Sequence, residues 1–149
     1  MKALLVVDVQ KGYTEKYDEN LLAQINQRIL YAVENDEFII YVKNVKKLRS
    51  GMKTNELSEN LNLCSPYILC KETASAFSNH ELLNILRQNK VTEIEIIGID
   101  GNSCIASSAT DAQRHGYKVI LSCEYIGVQN RERFDKRKSS LAAKGIFVV

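Results

Sequence analysis

Three side chains of this 149-residue chain form a chemically complete set when taken together: Asp8, Lys71 and Cys104. Each follows a short apolar run. Asp8 comes after Val6-Val7, Lys71 after Ile68-Leu69-Cys70, and Cys104 ends the stretch Gly98-Ile99-Asp100-Gly101-Asn102-Ser103 that leaves a third run. In an open parallel sheet ligands bind outside the carboxyl ends of the strands, so polar residues at those ends are site candidates. Singly, each has a plain structural reading: a carboxylate caps a loop, a lysine reaches solvent, a lone cysteine at a helix start packs. Jointly they supply a thiol nucleophile, a carboxylate base and a cation that holds a thiolate and polarises a substrate. A free thiol has a pKa near about 8.5, and a helix N-terminus with an adjacent ammonium lowers it; a fall of about two would leave roughly three quarters of the sulfur as thiolate at pH 7. Cys104 is therefore expected to be the reactive thiol of the four cysteines.

Positioning these residues requires alternating strands and helices. Residues 3–9 form a nearly continuous apolar run, as expected of a strand buried on both faces. Residues 38–42, 94–99 and 118–121 repeat the pattern, with 67–70 and 146–149 as shorter candidates. Between them, Leu21, Leu22, Ile25, Ile29 and Val33, and again Leu82, Leu83, Ile85 and Leu86, have helical spacing. Residues 102–115 and 131–144 predict two more helices, ended by Gly116 and Gly145 at expected left-handed caps. The pattern is that of a single α/β domain over residues 1–149, with a parallel sheet covered by helices on both faces. The long irregular stretch at 43–66 follows the second strand.

Composition narrows the function. Lysine and arginine exceed aspartate and glutamate by 20 minus 18, or +2, with both signs interleaved, which does not argue for nucleic acid. The cluster Arg131, Arg133, Lys136, Arg137 and Lys138 is interrupted by Glu132 and Asp135 and reads as a solvated helix face. Four cysteines without a CxxC pair do not make a disulfide scaffold; Cys64, Cys70 and Cys123 are read as packing thiols, and a cytoplasmic location follows as the expectation. The apolar opening is broken by Asp8 after five residues and is read as a strand, with no membrane association. No GxGxxG or Walker A sequence occurs, so no nucleotide cofactor is expected.

Asp8-Val9-Gln10 with Tyr13 resembles the D-x-Q-x-x-F opening of the isochorismatase-like cysteine hydrolases, which include the nicotinamidases. Lys71 with Ser75-Ala76-Phe77 is similar to that family's lysine and small-residue-Phe segment. Gly98-Ile99, Cys104-Ile105, Ser108-Ala109, Asp111-Ala112 and Gly116-Tyr117 follow its G-[VI]-x-x-x-x-C-V-x-x-T-A-x-D-A-x-x-x-G-Y block in order. The resemblance implies a three-layer fold with six parallel strands in the order 3-2-1-4-5-6. It implies Asp8, Lys71 and Cys104 as a catalytic triad, and a cis peptide at Ile99-Asp100 in the loop whose N–H groups hold the oxyanion, where a lost donor costs about 3 kcal/mol. It makes Gln10, Tyr13 and Phe77 pocket residues and the assembly a homo-oligomer acting on a small molecule. Two residues depart from the family pattern. Asp100 replaces a small or apolar residue, and Gly101 stands where the family often has Thr.

Nicotinamidases carry an Asp-x-His pair after the second strand and a further His, which together hold a metal. This chain has Tyr41-Val42-Lys43-Asn44-Val45-Lys46-Lys47-Leu48-Arg49 there, and its histidines are His80 and His115. No metal is expected, and the basic stretch is either a solvated loop or a site for an anionic substrate. The reading is a metal-independent cysteine amidase cleaving a C–N bond. The alternatives are vinyl-ether cleavage of the isochorismatase type and a catalytically silent member that binds a small molecule or a partner.

Overall fold

The first apolar run forms a strand that stops two residues early, because Asp8 takes a left-handed φ of 56° and turns the chain out of the sheet. Aspartate is among the few side chains that tolerate this region. A computed structural model describes residues 1–45 and 54–149. In chain order it contains β1 (Lys2–Val7), α1 (Leu21–Glu34), β2 (Phe38–Asn44), β3 (Ile68–Lys71), α2 (His80–Gln88), β4 (Glu93–Ile99), α3 (Ala106–Arg114), β5 (Lys118–Leu121), β6 (Ile126–Gly127), α4 (Arg131–Ala143) and β7 (Phe147–Val148). Lys46 to Arg49 of the basic stretch lie outside the described residues.

All strand pairs are parallel, in the order β3-β2-β1-β4-β5-β7. The six expected strands therefore lie in the expected order. The seventh, β6, is added beside the carboxyl end of β4, where Gly98 pairs with Ile126 and Ile99 with Gly127. β5 covers the other end of β4, from Glu93 to Glu95. Two residues carry no periodicity, so β6 has no sequence signal.

Alternation along β1 sends Ala3, Leu5 and Val7 into one core and Leu4 and Val6 into the other. Leu21, Ile25, Ile29 and Ala32 of α1 form one helical stripe over the second core. Leu82 and Leu86 of α2, Ala106, Ala109 and Ala112 of α3, and Phe134 and Leu141 of α4 cover the first. Gly116 and Gly145 take the expected positive φ beyond α3 and α4. No described helix is long and apolar enough to cross a membrane.

A buried ion cluster ties α1 to the sheet. Arg28 donates to Glu95 at 3.1 and 2.6 Å and to Glu37 at 2.7 Å, and Lys2 lies 2.8 Å from Glu95. Burial works against the Glu95 charge, but the bonds from Arg28 and Lys2 outweigh it and hold the carboxyl below its ordinary pKa.

The carboxyl end of β4 must approach β1 closely. Gly98 has φ +118°, and a Cβ there would stand 2.1 Å from the Val7 carbonyl oxygen, one residue before Asp8. At Gly145, φ is +91° but the space is open. Gly98→Ala is therefore expected to cost at least about 2 kcal/mol more in urea unfolding than Gly145→Ala, which should cost only about 1 to 2 kcal/mol for its backbone conformation. Equal losses would show that the contact with β1 can relax.

Candidate active site

Each triad candidate is placed by the end of a different element. Asp8 follows β1 and its N–H donates to the Val42 carbonyl at 2.8 Å. Lys71 is the last residue of β3. Cys104 lies in a turn of π-helix, Gly101–Ile105, that leads into α3. The parallel sheet brings them together at its carboxyl edge.

Lys71 is the centre of the arrangement. Its side chain is wholly buried, and its Nζ donates to Asp8 Oδ2 at 3.0 Å, to the Thr73 carbonyl at 3.1 Å and to Cys104 Sγ at 3.3 Å. An ammonium has three donors, and each has an acceptor here. Asp8 Oδ1 is buried without a hydrogen-bonding nitrogen or oxygen partner among the described residues. Burial raises the Asp8 pKa, against the lowering effect of Lys71.

The sulfur departs from its sequence-based expectation. Burial first, and the Asp8 carboxylate second, push the Cys104 thiol up to about 11, and the Lys71 ammonium offsets only part of this. The expected lowering by a helix N-terminus and an ammonium considered the cation without the anion beside it. The direction of these effects favours a protonated sulfur beside the Asp8 carboxylate. Cys64 and Cys70, read as packing thiols, are exposed, and Cys123 is half-buried.

Asp8 and Cys104 line a cleft of about 680 Å³, which Tyr13, Tyr17, Ile99 and Asp100 also line. The Ile99-Asp100 peptide is cis. Asp100 Oδ1 accepts the Asn102 N–H at 2.8 Å; its Oδ2 accepts the Tyr17 hydroxyl at 3.1 Å and the Gln129 N–H at 3.0 Å. One carboxylate thus fastens the Cys104 loop to the segments after β1 and after β6. Burial and the neighbouring Asp100 raise the Tyr17 pKa, keeping the phenol a donor. Gly101 also has a reason: a Cβ there would lie 2.8 Å from the Phe134 ring and 2.9 Å from Val128, so α4 fills the space a threonine would need.

Two expected pocket residues do other work. Gln10 is fully buried and bridges chain segments, donating to the Asn44 and Asn55 carbonyls at 3.0 Å each and accepting the Asn44 N–H at 2.8 Å. Phe77 packs into the core and stacks on His115 at 5.3 Å between ring centres. Neither lines the cleft. Sequence reasoning missed Tyr17, Lys16 and Arg133 as cleft residues. No motif marks them, since loops and α4 bring them in from separate parts of the chain. Ser108, matched within the cysteine block, accepts the Ala76 N–H at 2.9 Å and joins α3 to the turn after β3.

The donor set does not fit a metal. Among the described residues no three His, Cys, Asp or Glu side chains converge as metal ligands, and neither His80 nor His115 lines the cleft.

The Isochorismatase domain family model matches residues 2–142. Maleamate amidohydrolase of Pseudomonas putida is 25% identical over 152 residues, spanning 84% of this chain and 71% of that protein. Pyrazinamidase of Pyrococcus horikoshii, solved in complex with zinc, superimposes with a TM-score of 0.86 at 21% identity, covering 99% of this chain and 98% of the other. N-carbamoylsarcosine amidase of Thermoplasma acidophilum gives 0.84 at 20% identity, covering 99% and 94%. These two likenesses show the shared fold.

The proton balance is testable by alkylation with iodoacetamide and peptide mapping. Exposed Cys64 and Cys70 should label before Cys104 at pH 8. Asp8→Asn removes the anion that holds the thiol proton and leaves Lys71 beside the sulfur, so Cys104 labelling at pH 8 should rise at least about tenfold. Lys71→Met removes the cation, so labelling should fall. An unchanged rate in Asp8→Asn would show that the carboxylate does not control the thiol.

Proposed function

The chain belongs to the isochorismatase family, and on that premise we propose that it is a metal-independent cysteine amidase that hydrolyses the C–N bond of a small amide. The observation that carries this reading is the buried Lys71 ammonium, which touches the Asp8 carboxylate and the Cys104 sulfur at once. It holds nucleophile and base in contact and compensates negative charge on either one as the proton moves.

In the proposed reaction the thiol attacks the amide carbon as its proton passes to Asp8. The resulting oxyanion is met by N–H groups of the loop around Cys104. The N–H groups of Asn102, Ser103 and Ile105 are held by Asp100, which leaves those of Gly101 and Cys104 as the loop's candidates. Asp8 then protonates the departing nitrogen, the C–N bond breaks, and ammonia leaves a thioester on Cys104. Water adds to the thioester, giving a proton to Asp8; the C–S bond breaks, the acid departs and the sulfur regains its proton. The raised pKa of Asp8 suits a group that must both take and return a proton. A neutral resting thiol suits attack coupled to proton transfer, because no buried thiolate has to persist between turnovers.

The test is ammonia release across a panel of small primary amides, carbamates and ureides. Cys104→Ala should lower kcat on any accepted amide by at least about a thousandfold with circular dichroism unchanged. Dialysis against a chelator should leave turnover intact. Activity retained in Cys104→Ala would overturn the nucleophile, and absence of ammonia release from every compound of the panel would favour vinyl-ether cleavage. Loss on chelation with recovery in zinc or manganese would overturn metal independence.

A further inference from the structure

Asp100 moves no proton in the reaction above, yet it sets which donors the Cys104 loop can offer. The turn Gly101–Ile105 has 5 residues, each with one backbone N–H. The Asp100 carboxylate accepts the N–H of Asn102 at 2.8 Å, and the Asp100 carbonyl accepts those of Ser103 and Ile105 at 3.1 Å each. What this one residue leaves over is the N–H of Gly101 and that of Cys104, the two candidates for the oxyanion. A residue that takes the other donors also governs where these two lie.

The carboxylate is held from outside the loop as well. Its Oδ2 accepts the Tyr17 hydroxyl at 3.1 Å and the Gln129 N–H at 3.0 Å, both from residues that line the cleft. Tyr17 is fixed in turn at its ring. A Cβ on Gly127 would lie 2.7 Å from Tyr17 Cδ1, so the ring fills the space that a side chain on β6 would need. Gly127 pairs with Ile99, the residue before Asp100. The phenol thus runs from the edge of the sheet to the carboxylate. Turning the Asp100 side chain would forfeit its bonds to Asn102, Tyr17 and Gln129 together, and bonds to an ionised acceptor are stronger than those between neutral groups.

We propose that Asp100 is a positioning residue for acyl transfer: its carboxylate, steadied by the Tyr17 phenol, sets the Cys104 loop so that the Gly101 and Cys104 N–H groups meet the oxyanion. This rests on the amidase reading above, and it gives a task to a residue that departs from the family pattern. Donors to an oxyanion act only if they are in place before the charge develops, so misplacing them costs rate more than substrate binding.

The experiment separates carbonyl chemistry from the reactivity of the thiol. Butyraldehyde adds reversibly to a thiol: the S–C bond forms, the carbonyl π pair moves to oxygen, and the thiol proton ends on that oxygen, which then occupies the oxyanion position. Its affinity is read as protection of Cys104 against iodoacetamide, followed by peptide mapping. Iodoacetamide itself reacts by displacement of iodide at a carbon that carries no oxygen. The aldehyde should protect the wild-type protein. Asp100→Asn should weaken that protection at least about tenfold and Tyr17→Phe about threefold or more, while labelling without aldehyde stays within about twofold. On any amide of the panel that is hydrolysed, kcat should fall in the same order with KM little changed. Adding Tyr17→Phe to Asp100→Asn should cost less than Tyr17→Phe alone, because the phenol acts through the carboxylate. If Asp100→Asn does not fold, Tyr17→Phe decides. Unchanged protection in the variants, or no protection of the wild type, would overturn the positioning role. So would a change in labelling as large as the loss of protection, which would show a loosened loop or an altered thiol. Amide hydrolysis alongside any of these results would leave the amidase reading in place. Protection lost in the variants, with no amide hydrolysed by the wild type, would support the positioning role and count against the amidase reading.

Discussion

A fully buried ammonium needs an acceptor for every N–H, and meeting that need at Lys71 organises this protein. The acceptors come from the end of β1, the turn after β3 and the loop after β4. Because they are distant in sequence, the sheet must form in register before all three converge. Burying an unpaired charge costs several kcal/mol, so a shift that removed Asp8 would leave Lys71 with a large penalty. Fold and site are therefore mutually dependent. Two backbone features accommodate the convergence: the left-handed turn at Asp8, and Gly98, which lets β4 lie against the carbonyl of Val7.

The second organising carboxylate is Asp100. A charge so near the Cys104 sulfur looks unfavourable by itself, yet it accepts from three donors of the cleft walls and the Cys104 loop. Asp100 and Gly101 act in concert. The carboxylate draws the segments before α1 and α4 onto the loop, and the missing side chain next to it admits Phe134. The two departures from the family pattern are one local packing solution, in which α4 packs on the Cys104 loop and brings its own polar residues into the cleft.

The electrostatics disfavour a standing thiolate, and in the proposed reaction the proton moves within the site. Burial raises both Asp8 and Cys104, and Lys71 lies against each. Charge can move from carboxylate to sulfur while remaining in contact with the same ammonium, so little reorganisation accompanies the move. At the opposite end of the sheet Arg28, Glu37, Glu95 and Lys2 form another buried ionic cluster, which joins α1 to β4 and lies away from the chemistry. The carboxyl edge joins loops into the candidate site, while the amino edge joins a helix to a strand.

The sequence by itself determined the alternation of strands and helices, the six principal strands and their order through the family resemblance, and the identities of Asp8, Lys71 and Cys104. These were legible because apolar runs and helical stripes are local patterns, and because polar residues after buried strands must lie at one edge of a parallel sheet. The tertiary structure decided what depends on distance between segments. It showed that Gln10 clamps the chain and Phe77 packs, that β6 completes the edge of β4, and that Lys16, Tyr17 and Arg133 share the cleft. It also reversed the expected direction of the thiol pKa. A sequence can pair a cysteine with a lysine by type, but the proton on the sulfur responds to burial and to the carboxylate on its other side, and both arise only when β3, β2, β1 and β4 have been assembled in that order.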